Sequence, residues 1–158
     1  MADLKLQALD SEDLAVISAQ CQDAVVRVAD VAFLPVVRRF VLVCNRFDWM
    51  SAPGPKAAYE RRRAGLRFER VKRAQLVGFD LKSLETVLVL LAIEFAPQEA
   101  PAGQITLQFA AGAAIRLEVE YIEAELKDLG AVWSTKSKPD HTAEDRAAED
   151  RDAKPAKP

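Results

Sequence analysis

The sequence has 158 residues, of which 50% are hydrophobic and 29% are charged, with a formal net charge of −2 at pH 7. These values are typical of one globular domain that buries a core without disulfides or structural metals. A net charge so close to zero produces no overall electrostatic field that would attract nucleic acid or a lipid surface. The longest apolar run, Val87–Ile93, is far shorter than the roughly 20 residues of a membrane-spanning helix.

The N-terminus and the two cysteines predict the compartment. The first residues lack the basic and apolar regions of a secretory signal. Cys21 and Cys44 do not have the CxxC spacing of a redox or zinc site, and they fit buried free thiols better than a disulfide. We therefore expect a cytoplasmic protein that binds no membrane.

A strand and a helix are predicted at the start of the chain. Leu4–Gln7 alternates apolar and polar residues, which indicates a strand. Asp10 or Ser11 suits an N-cap, and a helix is expected to run from there to about Gln22. Its apolar face is formed by Leu14, Ile17 and Cys21.

Residues 24–49 predict two paired strands. The apolar alternation slips phase near Asp30, which indicates a bulge or turn there. Pro35 ends the first strand because it cannot donate to a central ladder. The second strand, around Phe40–Cys44, is apolar on both faces and is expected to lie centrally.

The second half of the chain predicts a loop, more strands and a final helix. Met50–Gly65 contains Pro53, Gly54 and Pro55 and is interpreted as a long loop. Ile105–Phe109 and Ile115–Tyr121 alternate around Gly112, which is a hairpin pattern. Helical spacing follows at Ile122–Leu129 and stops at Gly130. Further strands are predicted at Leu66–Val71, Gln75–Phe79 and Leu84–Phe95.

Short links and the absence of regular strand–helix alternation predict an α+β domain with a mostly antiparallel sheet. With about seven strands, a helix after the first strand and a C-terminal helix, the domain is predicted to form either a mostly antiparallel sheet or a partly closed barrel. A pleckstrin-homology-like barrel is one candidate by analogy. The domain is expected to span residues 1–134. Residues 135–158 have six acidic, six basic and no large apolar side chains, which predicts a disordered charged tail.

Candidate catalytic and metal-binding groups are few. The one histidine, His141, falls in the predicted tail, where nothing holds it within hydrogen-bond reach of a substrate. Histidine-based nucleophilic sites and zinc sites therefore lack their key side chain. No glycine-rich phosphate-binding motif occurs. We predict no catalytic residue, no metal and no cofactor, which favours a protein that is not an enzyme.

A basic segment between residues 56 and 73 is the clearest candidate site. It has eight Lys or Arg residues against Glu60 and Glu69, whereas residues 84–129 have a net charge of −6. Each guanidinium can donate two parallel hydrogen bonds to a phosphate or carboxylate. Alternatively, the arginines pair with the acidic half, within one chain or between two. The predicted anion- or partner-binding residues are Arg61, Arg62, Arg63, Arg67, Arg70, Lys72 and Arg73.

A second candidate patch consists of Asn45, Arg46, Asp48 and Trp49. In a strand, Arg46 and Asp48 share one face while Phe47 and Trp49 share the other. One interpretation is a pocket for a small ligand. The other is an ion pair beside an aromatic anchor at a strand end.

The stretches Arg39–Trp49, Arg61–Arg70 and Ile105–Gly130 resemble a bacterial family known only as a domain of unknown function. The resemblance covers about Leu4–Trp133. It implies an intracellular bacterial protein of about this length, and it implies no activity, cofactor or catalytic residue.

Three functions are consistent with these residues. The leading one is a non-enzymatic interaction or adaptor module that contacts an acidic protein through Arg61–Arg73. The second is RNA or single-stranded DNA binding by the same segment, with Tyr59 and Phe68 available for stacking. The third is a small-ligand protein or enzyme with a pocket near Asn45–Trp49. A homodimer through a strand edge, or through matching basic and acidic faces, is also consistent.

Overall fold

The computed structural model of the chain describes residues 3–47 and 60–134, which form nine strands and one α-helix. One-turn 3-10 segments lie at Pro35–Val37 and Ala110–Gly112. The helix α1 spans Ser11–Gln20. The strands are β1 (Lys5–Ala8), β2 (Val25–Leu34), β3 (Arg39–Phe47), β4 (Glu60–Phe68), β5 (Val71–Val77), β6 (Val87–Pro97), β7 (Gly103–Phe109), β8 (Ala114–Val119) and β9 (Ala124–Ser134).

All of the strand pairs are antiparallel, and the strands form one sheet in the order β1-β9-β4-β3-β2-β6-β7-β8-β5. The predicted barrel of about seven strands, including its pleckstrin-homology-like form, is therefore wrong. Within the described residues the sheet has nine strands and is open, because β1 pairs only with β9 and β5 only with β8. The prediction undercounted the strands because it interpreted parts of β4 and β9 as a loop and a helix.

The predicted C-terminal helix is also wrong, because its residues belong to β9. From Ile122, just before β9, through Ala124, Leu126 and Asp128 every second residue is buried, as a strand facing the core requires. Asp128 places a charge where a strand of this kind normally has an apolar residue. It therefore interrupted the hydrophobic alternation, and the remaining apolar residues matched helical spacing. Pairing with β1 and β4 on its two sides fixes β9 in the sheet.

The loop predicted for residues 50–65 is wrong over its last part, since β4 begins at Glu60. Consecutive arginines give no apolar alternation, so the sequence contains no strand signal there. β4 is held between β3 and β9, which satisfy its backbone on both sides. Residues 50–59 of this predicted loop, and the tail after residue 134, lie outside the described residues, so the predicted domain boundary stays a prediction.

Several local predictions are confirmed. Asp10 caps α1, with its carboxylate accepting a hydrogen bond from the Asp13 amide at 2.8 Å. The β2–β3 register shifts between Val26 and Val31, at the predicted bulge near Asp30. The hairpin of β7 and β8 turns through Ala110–Gly112.

One core cluster takes buried residues from all nine strands, and α1 contributes to it. The helix buries Leu14 and Ile17 and packs mainly against β6 and β1. Cys21, which follows the helix, and Cys44 on β3 are both buried free thiols. A hydrogen bond with Cys44 and then burial raise the pKa of the Cys21 thiol. Both buried cysteines therefore behave as small core side chains.

Candidate binding surface

Three connections of the sheet meet at one corner. They are the turn before β3 (residues 35–38), the turn between β4 and β5 (residues 69–70) and the link between β8 and β9 (residues 120–123). The amide of Val71 donates to the carbonyl of Arg38 at 2.9 Å. Glu69 donates in the same way to Glu123 at 2.9 Å, and Glu120 to Arg70 at 3.1 Å. Backbone hydrogen bonds thus hold the three connections together.

Four arginines surround a recess at this corner. The recess has a volume of about 380 Å³ and is lined by Arg38, Arg39, Arg67 and Arg70 together with Val37, Glu69 and Glu123. We call these four arginines and the recess between them the arginine corner. Arg67 and Arg70 belong to the predicted basic segment. Arg38 ends the distant turn before β3 and Arg39 begins that strand. Sequence reasoning missed both because nothing in the sequence links this part of the chain to the turn after β4.

The four guanidiniums are paired with glutamates. Arg39 Nε donates to Glu69 Oε2 at 2.8 Å. Arg67 bridges two carboxylates, with Nε 2.9 Å from Glu69 and Nη2 2.8 Å from Glu125. The other two pairs are Arg38 with Glu120, and Arg70 Nε with Glu123 Oε1 at 3.4 Å.

Arg38 and Arg70 are the most exposed of the four, with side chains 59% and 50% exposed. The hydrogen bond that Arg70 donates to Glu123, and then the neighbouring Tyr121, raise the pKa of Arg70, whose guanidinium lies 5.3 Å from the tyrosine ring centre. Exposed ion pairs of this kind contribute at most about 1 kcal/mol. An incoming carboxylate can therefore replace Glu120 or Glu123 at little cost.

Arg38 and Arg70 also have left-handed backbone conformations, with φ values of 55° and 62°. This conformation costs a residue with a side chain roughly 1–2 kcal/mol, and glycine is the residue that normally adopts it. Strained residues tend to cluster at binding sites and switch regions. Each of these two turns therefore has an arginine where glycine would be less strained.

An exposed apolar turn adjoins the arginine corner. Val36 is 95% exposed, and Leu34 and Val37 are 42% and 53% exposed. Pro35 stands at the first position of this turn, where its fixed φ stiffens the backbone. We call Leu34–Val37 the apolar tip. A partner that reaches the arginine corner therefore also meets a rigid apolar surface.

A second group of arginines lies inside the protein. Arg46 donates from Nε and Nη2 to the two carboxylate oxygens of Asp128, at 3.0 and 2.9 Å. Arg62 Nε lies 3.8 Å from Asp128, and its Nη1 donates to Asp3 at 3.1 Å. The amide of Leu4 also donates to Asp128, at 2.8 Å, which ties the start of β1 to this group. We call Arg46, Arg62 and Asp128 the buried ion-pair cluster, and the exposed Asp3 lies at its edge.

The predicted basic segment divides between these two environments. Arg61 and Arg62 are buried, and Arg61 donates to the carbonyl of Asn45 at 2.7 Å with its guanidinium over the ring of Phe47. Arg63 is half-buried. The remaining members, Arg67, Arg70, Lys72 and Arg73, lie on the outside of the sheet, where Arg73 pairs with Glu118 at 3.3 Å.

The second predicted patch is only partly described. Asn45 and Arg46 are buried, and the described ion-pair partner of Arg46 is Asp128 on β9. Asp48 and Trp49 lie outside the described residues. A recess beside Asn45 has a volume of about 10 Å³, which is the room needed by one water molecule. This recess is too small for a substrate, and a pocket formed with residues 48–49 stays a prediction.

Residues 3–47 and 60–134 contain no group of three or more His, Cys, Asp or Glu side chains that is able to hold a metal ion. The same residues contain no helix with the length and apolarity needed to cross a bilayer. His141 lies outside them. The cytoplasmic location stays a prediction.

Comparison with known proteins identifies one family. The family model described as "Protein of unknown function (DUF2948)" matches residues 4–141. The resemblance to a domain of unknown function of about this length is thereby confirmed. The sequence has no significant match among curated proteins or among solved structures.

Proposed function

Since the chain belongs to a family of unknown function, DUF2948, we propose its function from its own geometry: it is a non-enzymatic binding module whose arginine corner docks an acidic protein partner. The observation that supports this proposal is the convergence of three connections, which assembles four arginines around one recess beside the apolar tip. Protein interfaces commonly combine an apolar anchor with hydrogen bonds from arginine. Here the apolar tip supplies the anchor and the adjacent arginine corner supplies the hydrogen bonds.

Exchange of ion pairs is the expected binding step. Arg38 and Arg70 hold Glu120 and Glu123 on the outer side of the recess, where water screens both pairs. A partner carboxylate that displaces either glutamate gains the same charge-assisted hydrogen bonds in a less hydrated interface. Before a partner binds, Glu120 and Glu123 keep the guanidiniums of Arg38 and Arg70 oriented.

An acidic protein suits this surface better than nucleic acid does. The recess itself contains Glu69 and Glu123, and Glu120 and Glu125 pair with arginines beside it. These carboxylates repel a continuous phosphate backbone, whereas separate carboxylates on a peptide can align with individual arginines. The apolar tip offers aliphatic side chains rather than the aromatic rings on which single-stranded bases stack.

The test is the affinity for a fluorescein-labelled peptide of glutamates interrupted by leucines, measured by fluorescence anisotropy at low salt. Arg38→Gly together with Arg70→Gly removes both exposed guanidiniums at positions where glycine relieves backbone strain. We expect binding at least about tenfold weaker than in the unchanged protein.

The matched control removes the same charge elsewhere. Lys82→Ala with Arg116→Ala takes two exposed cations from outside the recess and is expected to bind the peptide like the unchanged protein. Equal affinity of the Arg38→Gly, Arg70→Gly variant and the control would refute the proposal. Tighter binding of an oligothymidylate of equal charge would favour the nucleic-acid alternative.

A further inference from the structure

A groove lies between the first half of α1 and the end of β6. It has a volume of about 510 Å³. Its floor and walls are mainly apolar, and Ser11, Thr106 and Glu94 supply the polar side chains of the lining. The lining residues are Ser11, Leu14, Ala15, Ile93, Glu94, Phe95, Ala96 and Thr106.

The rim of this groove is mainly acidic. Glu94 lies in the lining, and the exposed Glu12 directly follows the lining residue Ser11 on α1. One cation, Arg116, faces Thr106 from the neighbouring strand. The groove therefore favours an occupant with an apolar side chain beside positive charges. The apolar tip followed by Arg38 and Arg39 has this chemistry, and it is presented on a rigid convex turn.

The tip and the groove lie at opposite ends of the sheet. In the β2–β6 ladder Val25 pairs with Val89, and the two strands run in opposite directions from this pair. The tip follows Leu34 at one end, and the groove surrounds Ile93–Ala96 at the other. At about 3.3 Å per residue the two are on the order of 40 Å apart along the strands. The tip of one molecule therefore cannot reach its own groove.

We propose that the partner of the arginine corner is a second copy of this chain, whose α1–β6 groove receives the apolar tip. This inference rests on the proposed function and names its partner. Val36 enters the groove of the neighbouring molecule, and the arginines beside it face the acidic rim. Because the two surfaces differ, the contact is heterologous and repeats head to tail.

Sedimentation velocity of the full chain over a wide concentration range tests this contact. The average mass is expected to rise with concentration and to fall with added salt. Val36→Asp places a charge at the exposed tip, and Ala15→Arg fills the groove from an exposed helix position that tolerates arginine. Each variant alone is expected to stay monomeric.

Two control variants test whether the loss of self-association is specific to the apolar tip and the groove. Leu84→Asp introduces the same charge at another exposed apolar position, and Ala19→Arg changes α1 one turn beyond the groove. Both are expected to associate like the unchanged protein. Circular dichroism of all four variants checks that the fold is kept.

Mixing the two blocked variants gives the decisive result. The Val36→Asp protein keeps an intact groove and the Ala15→Arg protein keeps an intact tip, so the mixture is expected to form a dimer that grows no further. A mixture that remains monomeric, or an unchanged protein that is monomeric at every concentration, overturns the inference. A monomeric protein that still binds the glutamate peptide through Arg38 and Arg70 overturns the self-association alone, whereas peptide binding that is independent of these arginines refutes the proposed function.

Discussion

Arginines and carboxylates meet in two regions of this sheet, and the difference between the regions is burial. In the buried ion-pair cluster the side chains of Arg46 and Asp128 are 2% and 0% exposed. At the arginine corner those of Arg38 and Arg70 are 59% and 50% exposed. A buried pair cannot separate without leaving an uncompensated charge, whereas an exposed pair exchanges its partners with little change in free energy. The same chemistry therefore holds the fold together in one region and is available for binding in the other.

Both regions use the same two strands. β4 contributes Arg62 to the buried ion-pair cluster and Arg67 to the arginine corner, and β9 contributes Asp128 and Glu125 in the same way. Along β4, Arg62 shares the inner face with the buried Ala64 and Leu66, whereas Arg67 lies on the opposite face. Asp128 and Glu125 are divided in the same way on β9, so strand alternation separates the buried ion pair from the exposed one.

The largest effect is expected from Asp128→Asn, which keeps the shape of the side chain and removes its charge. Arg46 then stays buried without an anionic partner, and Arg62 loses its nearby carboxylate. We expect the free energy of unfolding to fall by about 3–5 kcal/mol. Urea denaturation followed by circular dichroism measures the change.

The double variant Arg46→Met with Asp128→Leu controls for the origin of this loss. Replacing both members of a buried pair by apolar residues of similar size is often neutral, so most of the stability should return. A double variant as unstable as Asp128→Asn would contradict an electrostatic cause.

A smaller effect is expected from alkaline pH through Cys21, which lies next to Cys44 in the core. The pKa of Cys21 is higher in the folded state than in the unfolded state. The neutral thiol therefore stabilises the fold fully at pH values below the unfolded-state pKa of about 8.5. This stabilisation is lost as the pH rises from there towards the folded-state pKa. Unfolding free energy should fall by about 1.4 kcal/mol per pH unit in that window.

Urea denaturation in reducing buffer at several alkaline pH values measures this loss. Cys21→Ala removes the titrating group and should give a flatter dependence on pH. If the unchanged protein and the variant show equal slopes, other groups are responsible for the loss of stability.

The smallest effect is expected at the arginine corner. Glu69→Gln removes the charge shared by Arg39 and Arg67, yet both pairs are partly exposed, so the loss of stability should be below about 1 kcal/mol. Added salt should shrink this difference further while leaving the Asp128→Asn difference almost unchanged, because screening acts on exposed charges. Urea denaturation at low and high salt compares the two variants. A Glu69→Gln loss as large as that of Asp128→Asn would remove the distinction between the two regions.

Sequence patterns predicted correctly those helices and strands whose buried faces consist of apolar residues. The cap at Asp10, the bulge near Asp30 and the hairpin around Gly112 follow from local backbone preferences and two-residue periodicity. The same patterns failed at β9 and at the start of β4, where Asp128, Arg61 and Arg62 are buried charged residues. A buried charged side chain is stable only when an oppositely charged group pairs with it. Here the partner lies on a strand that is distant in the sequence, so a local sequence pattern cannot predict the pair.

The amino-acid sequence by itself determined the family, the antiparallel pairing of its clearest hairpin and the concentration of arginines in one segment. Only the tertiary structure decided which arginines are buried and which surround a recess. The deciding contacts join residues far apart in the chain, such as Arg38 with Glu120 and Arg46 with Asp128. The charge of each residue can be read from the sequence. Whether that residue is buried, and with which residue it pairs, depends on which strands are adjacent in the folded sheet.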